Sequence, residues 1–203
     1  MKRNPVRIPP MLFATVSMGL SALDGVLFKT LDRCPHCGGK PKPYDTKVKQ
    51  YATLSSPHGE RVITVKVRRF ICQDSGKLLY AEEPFYPDTR VGSAIIDLAL
   101  SLSRTTSFSH AAAVMEAMGI EVNRGSVRKY AQSNLPMRPS NQLYGMALPT
   151  TFVSLIGRGI SSASLQPADI LVASGFPSRY AASENGTGTA KEYFKERNRR
   201  TKK

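Results

Sequence analysis

Two short loops that resemble each other constrain the fold of this chain most strongly. The first reads RCPHCGGK and contains Cys34 and Cys37, and the second reads FICQDSGK and contains Cys72. A Cys-x-x-Cys-Gly loop presents two thiolates from one tight turn, and zinc is held by a tetrahedron of such ligands. Two of these loops at the ends of a β-hairpin make a zinc ribbon. The second loop, however, carries Ser75 where its second cysteine would stand.

Three thiolates and one hydroxyl make an incomplete set of zinc ligands. Cys34, Cys37 and Cys72 are the candidate metal ligands, and zinc is the candidate cofactor. A serine hydroxyl stays protonated near neutral pH and lacks the soft character of sulfur, so Ser75 is a poor fourth ligand. The fourth position stays open among Asp74, His36, His58, a water molecule and a residue of another chain. The alternative is a ribbon that has lost its metal and folds on its apolar residues.

The chain carries a large positive charge. Its 203 residues include 29 Lys and Arg against 15 Asp and Glu, which gives a net charge of +14 and a pI of about 10. Such a field attracts polyanions, of which nucleic acid is the commonest. A hydrophobic content of 41% can supply a core, so at least part of the chain is expected to fold. The alternative is a basic protein that associates with ribosomes or is merely well solvated.

The N-terminus combines features of a signal peptide with those of a helix. A basic start, MKRNPVR, precedes the apolar run MLFATVSMGLSALDGVLF. Asp24 interrupts this run, Pro9 and Pro10 are typical of a helix start, and apolar residues recur at helical spacing. We therefore predict a helix over 11–31 rather than a cleaved signal or a membrane span. The odd cysteine count with one Cys-x-x-Cys pair favours a reducing compartment, and we expect a cytoplasmic protein.

The pattern along the chain predicts an α+β fold in four segments. These are an N-terminal helix in 1–31, a small antiparallel zinc-ribbon-like β unit in 32–85, a helical domain in 86–134 and a poorly defined C-terminal segment in 135–203. The hairpin is predicted from KVKQYATL and RVITVKVRRFIC, two alternating stretches separated by the turn-forming SSPHGE. The last segment is expected to be partly disordered, with DILVA as a buried strand and KEYFKERNRRTKK as a basic tail.

The helical domain has the outline of a helix-turn-helix unit. The run VGSAIIDLALSLS places a broad apolar stripe on a first helix. Ser109 is predicted to cap a second helix that ends at Gly119. Asn123 is predicted to cap a third helix, RGSVRKYAQS.

The side chains of this third helix are predicted to divide between the core and the solvent. Val127, Tyr130 and Ala131 are expected to face the core. The outward side chains suit contacts with phosphates and base edges of double-stranded DNA. They are Arg124, Ser126, Arg128, Lys129 and Gln132. The alternative is a helical pair with a glycine turn that does not touch DNA.

The order of these motifs resembles the N-terminal part of archaeal insertion-sequence transposases. That resemblance covers about 20–134, from LDGVLFKTLDRCPHCGG to HAAAVMEAMGIEVNRGSVRKYA. It implies a zinc ribbon and a helix-turn-helix that bind the terminal repeats of the element, ahead of a DDE catalytic domain with an RNase H-like fold. Cys34, Cys37 and Cys72 match the metal ligands of the family, and Ser75 breaks the pattern. The outward residues of the third helix match its DNA-reading surface.

The catalytic half of the family is not matched. Two-metal strand transfer needs three carboxylates on a sizeable α/β scaffold. Beyond Asn134 the acidic residues are Asp169, Glu184, Glu192 and Glu196. PADILVASGFPSRY resembles the first strand of such a domain but holds Ser174 where an aspartate would sit. We therefore expect the DNA-binding portion of a truncated or decayed transposase, which is not an enzyme by itself.

Other functions stay open. One is a domesticated DNA-binding regulator, or an inhibitor of an intact transposase. A homodimer and an association with an intact transposase are the two assemblies left open. Another is a thiol or metal hydrolase that uses Cys34, Cys37 or His110. No association with a membrane is expected.

Overall fold

A computed structural model describes residues 8–56, 59–162 and 164–176, and they form a mixed α+β fold. The helices in these ranges are α1 (Pro10–Ser21), α2 (Ser93–Thr105), α3 (Phe108–Ala117), α4 (Arg124–Ala131), α5 (Thr150–Ser161) and α6 (Pro167–Ala173). The strands are β1 (Leu27–Phe28), β2 (Pro41–Ser56), β3 (Gly59–Cys72), β4 (Leu78–Tyr80), β5 (Ser140–Leu143) and β6 (Met146–Pro149). The predicted α+β class is confirmed.

The long antiparallel hairpin of β2 and β3 is the largest β element. Pro41 lies opposite Cys72, so the two cysteine-containing loops meet at one end of the hairpin. On the other side of β3, β1 pairs in parallel and β4 pairs antiparallel. The predicted hairpin is therefore present. Its zinc-ribbon character depends on the loops described below.

Along β3 the buried side chains change from one face of the sheet to the other. Ile63, Val65 and Val67 are completely buried on one face, and Phe70 and Cys72 are buried on the opposite face. The hairpin thus buries one face at its middle and the opposite face at its cysteine end, and both sets of side chains belong to the same hydrophobic cluster.

The N-terminal helix is shorter than the sequence predicted. It begins at Pro10, where proline suits the first turn, and ends at Ser21 rather than near Leu31. The Asp24 carboxylate accepts a hydrogen bond from the Thr64 N–H at 2.9 Å, and this fixes the chain against the middle of β3. The following residues then join the sheet as β1, because strand pairing competes successfully with a continued helix.

The three helices of the predicted helix-turn-helix are all present. The side chain of Ser107, not Ser109, caps α3 by accepting a hydrogen bond from the His110 N–H. Gly119 follows α3 with a φ of +83°, and Asn123 caps α4 by accepting from the Ser126 N–H at 2.8 Å. The predicted glycine at the end of the second helix and the predicted asparagine cap of the third helix are thus confirmed. The predicted cap of the second helix was wrong, because Ser107 and not Ser109 is the capping residue.

The described part of the segment after α4 contains more helix and strand than the sequence predicted. The β5–β6 hairpin leads into α5, which packs against α1, and α5 in turn contacts α6. The stretch DILVA lies in helix α6 and not in a strand, because Pro167 and Asp169 occupy the first helical turn, where both residues are favoured. Two strands and two helices thus lie among the described residues between 140 and 173, in the segment that was expected to be poorly defined and partly disordered. The predicted basic tail lies outside the described residues.

A buried carboxylate connects the segments. Asp97 on α2 accepts hydrogen bonds from the hydroxyls of Tyr86 at 2.5 Å and Thr151 at 2.7 Å, and Arg138 Nε lies 3.9 Å from it. Burial raises the pKa of Asp97, although these partners oppose the shift. Buried apolar side chains from all four predicted segments belong to one hydrophobic cluster around this network.

Within the described part of the chain, no helix combines the length and the apolar character needed to cross a bilayer.

Candidate metal centre and nucleic-acid interface

The first cysteine loop closes on itself through two main-chain hydrogen bonds. The Cys34 N–H donates to the Gly39 carbonyl, and the Gly38 N–H donates to the Cys34 carbonyl, both at 2.9 Å. Gly38 adopts a φ of +75°, a conformation that glycine reaches without steric cost. This turn directs both Cys34 and Cys37 toward the same point.

The second loop repeats this geometry with a different sequence. The Cys72 N–H donates to the Lys77 carbonyl at 3.0 Å, and the Gly76 N–H donates to the Cys72 carbonyl at 2.9 Å. Gly76 has a φ of +66°. Ser75 therefore occupies the place that Cys37 holds in the first loop, and the two loops share the same main-chain turn although the second lacks the second sulfur.

The three sulfurs lie close enough to surround one metal ion. Cys37 Sγ and Cys72 Sγ are 3.4 Å apart, and the Sγ atoms of all three cysteines lie within 4.8 Å of one another. A tetrahedral zinc ion with Zn–S bonds of about 2.3 Å separates its sulfurs by about 3.8 Å. Cys34 and Cys72 are buried and Cys37 is exposed. The predicted ligands are thus brought together, and they fit three corners of a zinc site.

The fourth corner belongs to Ser75 by position. Its Oγ lies 3.9 Å from Cys34 Sγ. Among the described residues, no histidine nitrogen or carboxylate oxygen joins the cysteine group. Asp74 instead packs against the main chain of Gly39, so neither Asp74 nor His36 is brought in as the fourth ligand. His58, another candidate of the sequence analysis, lies outside the described residues.

Ser75 also changes the chemistry of its neighbour. A hydrogen bond from the Ser75 hydroxyl, helped by the Ser75 N–H and opposed by burial, lowers the pKa of Cys72 to about 6. The thiolate is the form of cysteine that binds metal. Sequence analysis treated Ser75 only as a missing ligand, and no sequence signal indicates this second role because it depends on the folded turn.

The third helix of the helical domain, α4, presents most of its predicted outward residues to solvent. Val127 is completely buried and Tyr130 is half-buried, as predicted, but Ala131 is exposed. Arg124, Arg128, Lys129 and Gln132 are exposed and Ser126 is half-buried. The prediction for Ala131 was wrong because only one edge of this short helix packs against α2 and α3.

The exposed side of α4 is positively charged and uncompensated. Arg124, Arg128 and Gln132 follow one another at intervals of one helical turn, and Lys129 lies beside them. In the described part of the chain, none of the three cations forms an ion pair. Gly125 lies in the middle of this side, so no side chain stands between the cations there. We call the side formed by Arg124, Gly125, Arg128, Lys129 and Gln132 the α4 basic face.

The turn before α4 is fixed to the hairpin. The Glu121 N–H donates to the Thr53 carbonyl, and the Ser55 N–H donates to the Gly119 carbonyl, both at 2.9 Å. The Ser55 hydroxyl also donates to the Glu121 carboxylate at 2.5 Å. These bonds hold the α3–α4 turn on the outer edge of β2. The helical unit is therefore attached directly to a strand of the cysteine hairpin.

The fold and these two features define an α+β protein in which a cysteine-knuckle hairpin carries a three-helix unit with one basic helix face. Comparisons with protein-family models, with curated proteins and with solved structures returned no match.

Proposed function

We propose that this protein binds double-stranded DNA through the α4 basic face. The observation that carries the proposal is the row of unpaired cations on an exposed helix that a folded turn holds in place. An α-helix fits the major groove of B-DNA, where arginine and glutamine side chains read guanine and adenine edges and lysine contacts phosphates. The net charge of +14 supports a polyanionic partner.

In this proposal the zinc ion has a structural role. Cys34, Cys37 and Cys72 would hold it, and Ser75 or a water molecule would complete its coordination. The reducing cytoplasm would keep the thiols available for the metal. The resemblance to transposases that join a zinc ribbon to a helix-turn-helix suggests the ends of a mobile element as the target DNA.

Charge reversal on α4 tests the proposal. The double variant Arg128→Glu/Lys129→Glu is compared with the wild type by mobility shift on a short mixed-sequence duplex at several salt concentrations. We expect the variant to lose roughly tenfold or more in affinity and its salt dependence to fall by about two phosphate contacts.

A matched control carries the same change of charge on another surface. Lys29→Glu/Lys66→Glu reverses two exposed lysines at β1 and β3 and is expected to reduce affinity much less. Equal affinity of the α4 variant and the wild type would exclude α4 as the reading helix. Equal losses in both variants would indicate attraction by overall charge alone.

A further inference from the structure

A solvent-open groove lies beside the hairpin, away from the cysteine loops. It has a volume of about 620 Å³ and runs between the outer edge of β2 and the segment 84–90. The lining residues that matter here are Lys47, Val48, Lys49 and Gln50 of β2, with Asp88 and Arg90 opposite. None of these residues was singled out by the sequence analysis.

The strand edge in this groove is open. Thr64 and Lys66 of β3 direct their main-chain groups away from β2, because they hydrogen bond to residues 25–26 at 2.7 and 2.8 Å. In an antiparallel pair, two directly opposite residues direct their main-chain N–H and C=O groups either toward each other or both away from each other. Their partners on β2 are Gln50 and Val48, so these two residues direct their N–H and C=O groups into the groove.

The open stretch is short. At Tyr51 the strand is interrupted by a register shift, and beyond it the edge is covered. The Gly92 N–H donates to the Tyr51 carbonyl at 2.8 Å, and the α3–α4 turn covers Thr53 and Ser55. Before Lys47, a second register shift follows the edge proline Pro43. Such short, interrupted edges with prolines and lysines disfavour the addition of a peptide strand.

The charges around the groove are partly compensated, since Lys47 interacts electrostatically with Asp45 on the same strand. Lys49 is held by Glu83, with Nζ–Oε distances of 2.6 and 2.7 Å, and is neutralised there. Lys47 and Arg90 are exposed and form no ion pair with any residue that the structure describes. Asp88 is the exposed acid of the groove, and it adopts a φ of +59°, which is uncommon for a residue other than glycine. Two cations and two outward N–H groups therefore converge on the groove.

We propose that this groove binds the phosphodiester backbone of the DNA that α4 contacts. The Val48 and Gln50 N–H groups would donate to phosphate oxygens, and Lys47 and Arg90 would supply the charge. This inference rests on the proposed function and extends it to a second surface. Val48 in the groove and the turn at Thr53, which leads into α4, lie along the same strand edge, roughly 17 Å apart at 3.3 Å per residue. That separation is less than one turn of B-DNA, about 34 Å.

Two groove variants test this inference. Lys47→Glu/Arg90→Glu alters two exposed side chains that form no ion pair with any described residue, and it should leave the melting temperature nearly unchanged. On a duplex longer than one turn, we expect it to lose roughly tenfold in affinity and about two units of salt slope. Asp88→Asn removes the acid, and asparagine tolerates the same backbone conformation. We expect Asp88→Asn to bind the duplex more tightly than the wild type.

The outcomes separate this inference from the proposed function. If Arg128→Glu/Lys129→Glu weakens binding and the groove double variant does not, the groove inference is overturned and α4 remains the DNA-binding helix. If the wild type binds no duplex, both fall. If a poly-glutamate peptide binds the wild type but not Lys47→Glu/Arg90→Glu, while DNA affinity is equal in both, the groove belongs to an acidic protein strand and the inference is overturned.

Discussion

Ser75 limits the set of ligands that the two loops could offer to a metal ion. It sits where a fourth thiolate would stand, and its Oγ is 3.9 Å from Cys34 Sγ. Its hydroxyl stabilises the Cys72 thiolate but coordinates zinc poorly because it keeps its proton. The two turns would suit a structural zinc site with four protein ligands, but only three thiolates are present, the number that leaves one coordination position open.

Ser75→Cys is expected to complete the site. A fourth thiolate should raise zinc affinity by at least about tenfold. Loss of a residue that only hydrogen bonds to a metal ligand already lowers metal affinity by about that factor in other proteins, and a direct ligand should matter at least as much. Competition with a chromophoric chelator measures this affinity. Ser75→Ala is the control, and we expect it to weaken zinc binding only modestly, because it removes the hydrogen bond to Cys72 but no thiolate. Equal affinities of the wild type and Ser75→Cys would show that the second loop does not direct residue 75 at the metal.

Residues that act within one turn could be predicted from the sequence. The paired cysteines and the cap at Asn123 depend on neighbours a few positions away, so their pattern was sufficient. Ser107 and Ser109 carry the same capping group, and only the folded start of α3 decides between them. The exposure of Ala131 depends on where α4 docks, which short-range patterns do not specify.

At the scale of elements, the crossing of α1 and α5 depends on two glycines. A Cβ at Gly159 would lie 2.3 Å from the Gly19 carbonyl oxygen, and a Cβ at Gly19 would lie 2.9 Å from the main chain of Ile156. The two helix backbones are therefore in direct contact. Gly157, one position before Arg158 on the exposed side of α5, has nothing within 4 Å of the position of a Cβ.

Alanine substitutions at Gly157 and Gly159 should have opposite effects on stability. Gly157→Ala is expected to stabilise the fold by about 0.5–1 kcal/mol, because alanine loses less backbone entropy in a helix. Gly159→Ala should destabilise it by about 1–3 kcal/mol, because the helices must separate. Urea unfolding of both variants measures the difference. A stabilising effect of both substitutions would mean that the α1–α5 contact is loose.

The hairpin and the start of α1 were predictable, but the C-terminal end of α1 and the nature of α6 were not. Alternation of apolar residues over long stretches indicates strands reliably, as in β3. DILVA is only five residues long, and its β-branched residues suggested a strand. Helix α6 is instead stabilised by its first turn and by the ion pair of Asp169 with Arg158 on α5, at 2.9 Å. That contact joins residues from separate helices, so local propensity could not reveal it.

At the scale of the whole molecule, one core supports both the hairpin and the helices. Completely buried side chains such as Val65, Leu98 and Leu155 belong to the same cluster. The cysteine loops lie at one end of the hairpin, and Cys34 and Cys72 are buried at the edge of this cluster. Small zinc modules without such a core unfold when the metal leaves. Because the core of this protein is much larger than the cysteine loops, we expect its apolar contacts to be sufficient for folding without the metal.

Chelation of zinc should therefore affect the loops and not the whole fold. We expect a chelator to leave the helical circular dichroism nearly unchanged at 25 °C. Amide hydrogen exchange should increase in 33–40 and 72–77 only, because only their turns depend directly on the metal. A loss of helical signal on chelation would show that metal binding and global folding are coupled.

The two cysteine loops share their hydrogen bonds although one of them lacks a sulfur. Because the turn is maintained by glycine and the main chain, residue 75 can be exchanged without rebuilding the loop. Cysteine and serine have codons that differ by a single base. A lineage carrying this chain could therefore gain or lose its fourth ligand by a single mutation while remaining folded throughout.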